Sequence, residues 1–170
     1  MRSFRHALLL LLSVLALHLS VATPAVARDD YPWRQATATD TFGFTARQCV
    51  SFVAWRLAQR GTPIHNRQGW GDAGHWDEAA RRLGYGVGSR PVVGAVAHWD
   101  AGERSPLHAG GSSLRGTMWA GAYGHVAWVQ HVHTDGSATV AQYNGAGSQS
   151  YSTARVKAPR YLYVGVQAPG

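Results

Sequence analysis

A single cysteine, Cys49, stands in this 170-residue chain, so no internal disulfide can hold the fold together. That constrains the chain strongly, because its start reads as an export signal. Arg2 and Arg5 form a basic opening, Ala7 to Leu19 is an apolar run too short to span a bilayer, and Ala25-Val26-Ala27 fits the small-x-small cleavage rule. Residues 1–27 are therefore expected to be a signal peptide, removed before Arg28. No cysteine stands at the end of the apolar run or at the expected cleavage site, so a lipid anchor is not expected. Of the 170 residues, 143 remain. That length suits one secreted domain, residues 28–170, stabilised by its own core, free of the membrane and monomeric.

Charge excludes one class of partner. The chain carries +7, which falls to +5 once Arg2 and Arg5 are lost. Lys157 is the only lysine, and no basic run reaches five residues, so nucleic-acid binding is not expected. The remaining charge serves solubility, with weak attraction to a polyanionic surface as the functional alternative.

Periodicity places the elements. Thr45 and Gln48 form a capping-box pattern at the start of a helix expected over 46–60, with Val50, Val53 and Leu57 on one face and Gly61-Thr62-Pro63 as its stop. A shorter helix is expected from Ala73 to Leu83. Strands are expected at 92–99, 124–132, 138–143 and 161–166, the last closing the sheet, with a turn at Asp135-Gly136. Residues 100–122 read as a long loop. Helices first and strands after imply an α+β fold, with a helix packed on an antiparallel sheet.

Cys49 falls in the first turn of the first helix, where the dipole favours thiolate. It reads as a nucleophile or as a small buried hydrophobe. A nucleophile needs a base. Strand parity puts His125, Ala127, Val129 and His131 on one face. A two-residue turn would set Ala127 opposite Asn144 and Val129 opposite Gln142. A four-residue loop would set His125 opposite Asn144 and Ala127 opposite Gln142. Either even register gives His125 two amides within reach; an odd loop or a bulge would spoil this. The amides could orient the imidazole, or be ordinary sheet-surface groups.

In order along the chain, Tyr31-Pro32-Trp33, Gln48-Cys49-Val50-Ser51-Phe52-Val53-Ala54-Trp55, Trp70-Gly71-Asp72-Ala73-Gly74-His75-Trp76, Pro91-Val92-Val93-Gly94-Ala95-Val96-Ala97, Gly124-His125-Val126-Ala127-Trp128-Val129 and Val140-Ala141-Gln142-Tyr143-Asn144 resemble the CHAP family, the cysteine- and histidine-dependent amidohydrolase/peptidases. The resemblance implies a papain-like fold and a hydrolase acting on bacterial peptidoglycan, secreted or associated with the cell wall. It implies Cys49 as nucleophile and His125 as base. The family commonly has Glu where this chain has Gln142; glutamine accepts an imidazole N–H but stabilises imidazolium less. Asn144 could carry that role instead. Gln48 and Tyr31 are candidate oxyanion donors, and Trp76, Trp99 and Trp119 candidate groove residues. The bond cut could be the N-acetylmuramoyl-L-alanine amide or a peptide bond. A non-catalytic wall-binding module on the same fold is the alternative.

No cofactor is implied and no metal is expected. H-E-x-x-H, paired cysteines and a D-x-D-x-D-G loop are all absent, and the nearest ligand pairs are His131-x-His133 and His98-x-Asp100.

Overall fold

In the computed structural model, residues 29–170 are described; the expected signal peptide, 1–27, and Arg28 lie outside them. Helix α1 runs Cys49–Gln59 and α2 runs Trp76–Arg82, with short 3-10 turns at Asn66–Gln68 and Ala73–His75. The strands are β1 (Gly86–Gly88), β2 (Val96–Trp99), β3 (Arg104–Pro106), β4 (Thr117–Trp119), β5 (His125–Val132), β6 (Ala138–Tyr143), β7 (Tyr151–Val156) and β8 (Arg160–Tyr163). Six form one sheet in the order β1-β8-β2-β5-β6-β7, antiparallel throughout, and β3 pairs with β4 as a separate hairpin. The fold is α+β and papain-like, as expected. Among the described residues no helix is long and apolar enough to cross a membrane.

Both faces of the sheet are covered, in keeping with the continuously buried runs of β2 and the first half of β5. Val126, Trp128, Ala141 and Tyr143 pack with Phe52, Val53 and Leu57 of α1 and with Trp70 and Trp76. Their strand neighbours Ala127, Val129, Ala138 and Val140 point the other way, onto Trp99, Met118, Val156 and Tyr161. Both helices end in the same manner. Gly61 and Gly84 are left-handed, Thr62 N–H reaches back to Leu57 O and Tyr85 N–H to Ala80 O, and the helix carbonyls are thereby satisfied.

Four expectations need correction. Helix α1 begins at Cys49, not Ala46, and Thr45 does not cap it. Instead Thr45 pairs with Thr39, Arg47 is left-handed at φ 64°, and Gln48 is extended with its side chain engaged elsewhere. Strand β8 does not close the sheet; it lies inside, between β1 and β2, and the edges are β1 and β7. Strand β7 was not expected. The stretch 100–122 is not loop throughout, because it contains the β3–β4 hairpin.

The β5–β6 register bears directly on the site. Its tip, Thr134 to Gly136, is closed by the His133–Ser137 and Gly136–His133 backbone bonds, so the loop is odd. Val132 pairs with Ala138 and His131 with Thr139, but Val129 pairs with Val140, leaving Gln130 as an extra residue. The odd loop and this bulge cancel. Beyond the bulge, Trp128 faces Ala141, the register that a four-residue loop would have produced.

Candidate active site

Cys49 is the first residue of α1, and α1 lies against β5 and β6. His125 is the first residue of β5, and Gln142 lies near the end of β6. His125 Nε2 is 2.8 Å from Gln142 Oε1. Gln142 Nε2 donates to Ser152 Oγ at 3.3 Å, so the oxygen end of the amide faces the histidine. The Nε2–H tautomer follows, and Nδ1 is left as the acceptor. Cys49 and His125 line one cleft of about 910 Å³, together with Gln48, Asp72, Trp119, Tyr123 and Asn144.

Burial governs the charge states. It pushes the Cys49 thiol up to about 11, against backbone N–H groups of Val126, Val50 and Cys49 itself that favour thiolate. Asp72 adds to the rise. The helix-terminus expectation of a thiolate is thus outweighed by desolvation. Burial likewise pushes His125 down to about 4, with the Gln142 bond opposing and His98 adding to the fall. At neutral pH the free site holds a neutral thiol and a neutral imidazole, a pair suited to general-base activation rather than to a resting ion pair.

Asn144 directs its hydrogen bonds elsewhere than His125. It is left-handed at φ 57°, its Nδ2 donates to Gln48 Oε1 at 2.8 Å, and its Oδ1 accepts from Gln149 N at 2.9 Å. It ties the end of β6 to the residue before the thiol. Gln48 lines the cleft, and with its oxygen held by Asn144 its Nε2 is the free-standing donor end. Tyr31, the other oxyanion candidate, is fully buried and away from the cleft. Trp76 and Trp99 are also fully buried core residues, with Trp99 Nε1 donating to Ser105 Oγ, so neither lines the groove. Of the three tryptophans only Trp119 does.

Tyr31 has a different part. Arg47 N–H donates to Tyr31 Oη at 3.3 Å; Tyr31 hydrogen-bonds Ser51 Oγ, which donates to the buried Asp40 carboxylate. Asp40 also accepts from Phe42 N and Phe44 N, each at 2.9 Å. This buried chain holds the strained backbone two residues before Cys49. Ser51, a hydroxyl on the apolar face of α1, was the visible signal for it.

The metal alternatives are not assembled for a cation. His131 and His133 rings meet edge to face at 4.6 Å, and among the described residues no third ligand joins them. Asp77, His98 and Asp100 do converge. There, however, the Arg160 guanidinium lies 2.9 Å from Asp100 and 3.2 Å from His98 Nδ1, supplying the positive charge itself.

A family model, CHAP domain, matches residues 39–144. The chain is 34% identical over 113 residues to an N-acetylmuramoyl-L-alanine amidase sle1 of Staphylococcus epidermidis, covering 65% of this chain and 28% of that protein. It is 34% identical over 113 residues to a probable autolysin SsaALP of Staphylococcus aureus, covering 65% and 35%. It superposes on the crystal structure of an N-acetylmuramoyl-L-alanine amidase from Staphylococcus aureus with a TM-score of 0.56 at 27% identity, covering 74% and 32%. The chain thus spans about a third of the length of these relatives.

Proposed function

The chain belongs to the CHAP domain family, and from that premise we propose that it hydrolyses an amide bond of peptidoglycan with Cys49 as nucleophile. The observation that carries this reading is the shared cleft of Cys49 and His125, with the far nitrogen of His125 on Gln142. His125 Nδ1 takes the thiol proton as sulfur attacks the carbonyl carbon. The oxyanion is held by the Cys49 backbone N–H, which the helix start leaves without a carbonyl partner, and by Gln48 Nε2. Collapse expels the amine, which receives the proton from His125, and leaves a thioester on Cys49. Water, deprotonated by His125, attacks the thioester; the acid leaves and the thiol is restored. Gln142 fixes the tautomer and ring orientation, as the neutral asparagine does in papain-like sites.

Relatives named as amidases favour the bond between N-acetylmuramic acid and L-alanine. The domain, residues 28–170, would act outside the cytoplasm as a monomer after loss of residues 1–27. The neutral orienting residue and the protonated thiol favour one alternative, a wall-binding module without turnover.

Incubating residues 28–170 and Cys49→Ala with insoluble peptidoglycan, then analysing soluble fragments by mass spectrometry, tests this. Fragments from the wild type alone are expected, with new termini naming the bond. No fragments from either protein, with wall affinity unchanged in Cys49→Ala, would replace the hydrolase with the binding module.

A further inference from the structure

Among the described residues, four large hydrophobic side chains are exposed: Leu83, Val93, Trp119 and Tyr123. The two aromatic ones both line the cleft that holds Cys49 and His125. Single exposed apolar side chains are ordinary, but two large aromatic ones grouped in one cleft mark a binding surface. Neither ring is loosely placed. Trp119 sits in β4, opposite Arg104 of β3, whose guanidinium lies 5.6 Å from the indole centroid, yet the residue remains 60% exposed. Tyr123 is 72% exposed while its backbone oxygen accepts from Gly74 N at 2.8 Å. Gly124, which follows, packs on Gly74 so closely that a side chain would collide with its backbone. The rings therefore project from anchored backbone, one of them two residues from His125.

The rest of the cleft says what they face. Its formally charged lining is one Asp72 and one Arg115, of opposite sign, while six glycines, at 43, 71, 121, 124, 145 and 147, leave backbone polar groups open along it. A ligand here is largely uncharged, with flat apolar faces and a rim of hydrogen-bonding groups. A pyranose ring has that form: C–H groups on its face, hydroxyl and acetamido groups at its edge. Stem peptides of the wall, built from alanine and charged residues, offer no flat apolar face. Resting on the hydrolase reading above, we propose that Trp119 and Tyr123 form a saccharide subsite. It would seat N-acetylated sugar rings of the glycan strand beside Cys49. The amide nearest such a ring is the one joining the sugar's lactyl group to the peptide, so the subsite makes the glycan part of the recognised substrate.

The test uses Cys49→Ala, which removes turnover, titrated by calorimetry with peptide-free glycan strands of alternating N-acetylglucosamine and N-acetylmuramic acid, and separately with sugar-free stem peptide. Glycan strands should bind, and adding Trp119→Ala should weaken that binding about tenfold or more, with Tyr123→Ala weaker in effect and Trp119→Phe keeping part of the affinity. Equal glycan affinity with and without Trp119→Ala, or a stem-peptide affinity that falls as much, would overturn the subsite. Wall digestion by the wild type, scored alongside, separates the two readings. Digestion with no Trp119-dependent glycan binding sinks the subsite alone, whereas such binding without digestion sinks the hydrolase alone and leaves the subsite standing.

Discussion

Glutamate in place of Gln142 would put a carboxylate where the amide oxygen now lies, 2.8 Å from His125 Nε2. At an effective dielectric constant of about 20, unit charges at that separation attract by ~6 kcal/mol. Gln142 is fully buried, and placing a carboxylate there costs several kcal/mol in lost hydration. The balance left is a rise of about 1–3 pKa units in His125, or ~1.4–4 kcal/mol. The sign follows from the base role. His125 must be neutral to take the thiol proton, and in the wild type it is pushed down to about 4. The acid limb of kcat/KM should therefore lie near pH 4 in the wild type and between about pH 5 and 7 in Gln142→Glu. For a two-unit shift, the variant is about tenfold slower than the wild type at pH 5. Above pH 7 it is as fast or faster, because the imidazolium formed during attack is then stabilised. A pH–rate profile on solubilised wall fragments reads the limbs, and NMR titration of the ring proton reads His125 without turnover. Coincident limbs in the two proteins, or a wild-type His125 titrating at 6.5 or above, would refute the reasoning.

Two further substitutions probe the supports of the site. An alanine methyl at Gly145 would run into the Gln142 side-chain amide; Gly145→Ala should lose ~1–3 kcal/mol by urea denaturation and most of its activity, and unchanged kinetics would mean that Gln142 need not hold its present rotamer. Ser51→Ala breaks the hydrogen-bonded chain between Asp40 and Tyr31 and should cost about 1–3 kcal/mol. It should also change the rate of Cys49 alkylation by iodoacetamide, a readout that stability alone would not move; the same rate in folded wild type and variant would remove the chain's role in positioning the nucleophile.

Legibility followed the strength of local patterning. Strand β6 was readable to the residue because the Asp135-Gly136 turn and the Asn144-Gly145 pair bracket a short run, Ala138 to Tyr143, that is buried almost throughout. The strand period of two puts Gln142 and Asn144 on the His125 face only for an even register, and that register is reached here through an odd loop and the Gln130 bulge together, neither of which local patterning shows. The start of α1 was not readable. Thr45 and Gln48 satisfy the local capping pattern, but Gln48 is taken by Asn144, 96 residues away in sequence, and Thr45 by Thr39. Tertiary partners overrode a propensity worth about 1 kcal/mol. Strand β7, Tyr-Ser-Thr-Ala-Arg-Val, hid because its polar residues sit on an edge strand, and β3 and β4 because three residues carry too little period to detect. Trp76, Trp99 and Trp119 could not be sorted into core and groove, since an indole suits either and the deciding contacts come from the β3–β4 hairpin and the helix layer.

The Gln130 bulge separates the β5–β6 tip from the catalytic end of the same two strands. It works like a slip joint. Residues 134–136 can gain or lose length at the distal end while the pairing of Trp128 with Ala141, and with it the approach of Gln142 to His125, is set on the near side. Removing Gln130 itself would only make the ladder regular, His131 with Thr139 and then Val129 with Val140; removing a residue on the near side, such as Ala127, would instead drive Val126 and His125 to the opposite face. Variation in this hairpin is thus tolerated or fatal according to which side of one unpaired glutamine it falls.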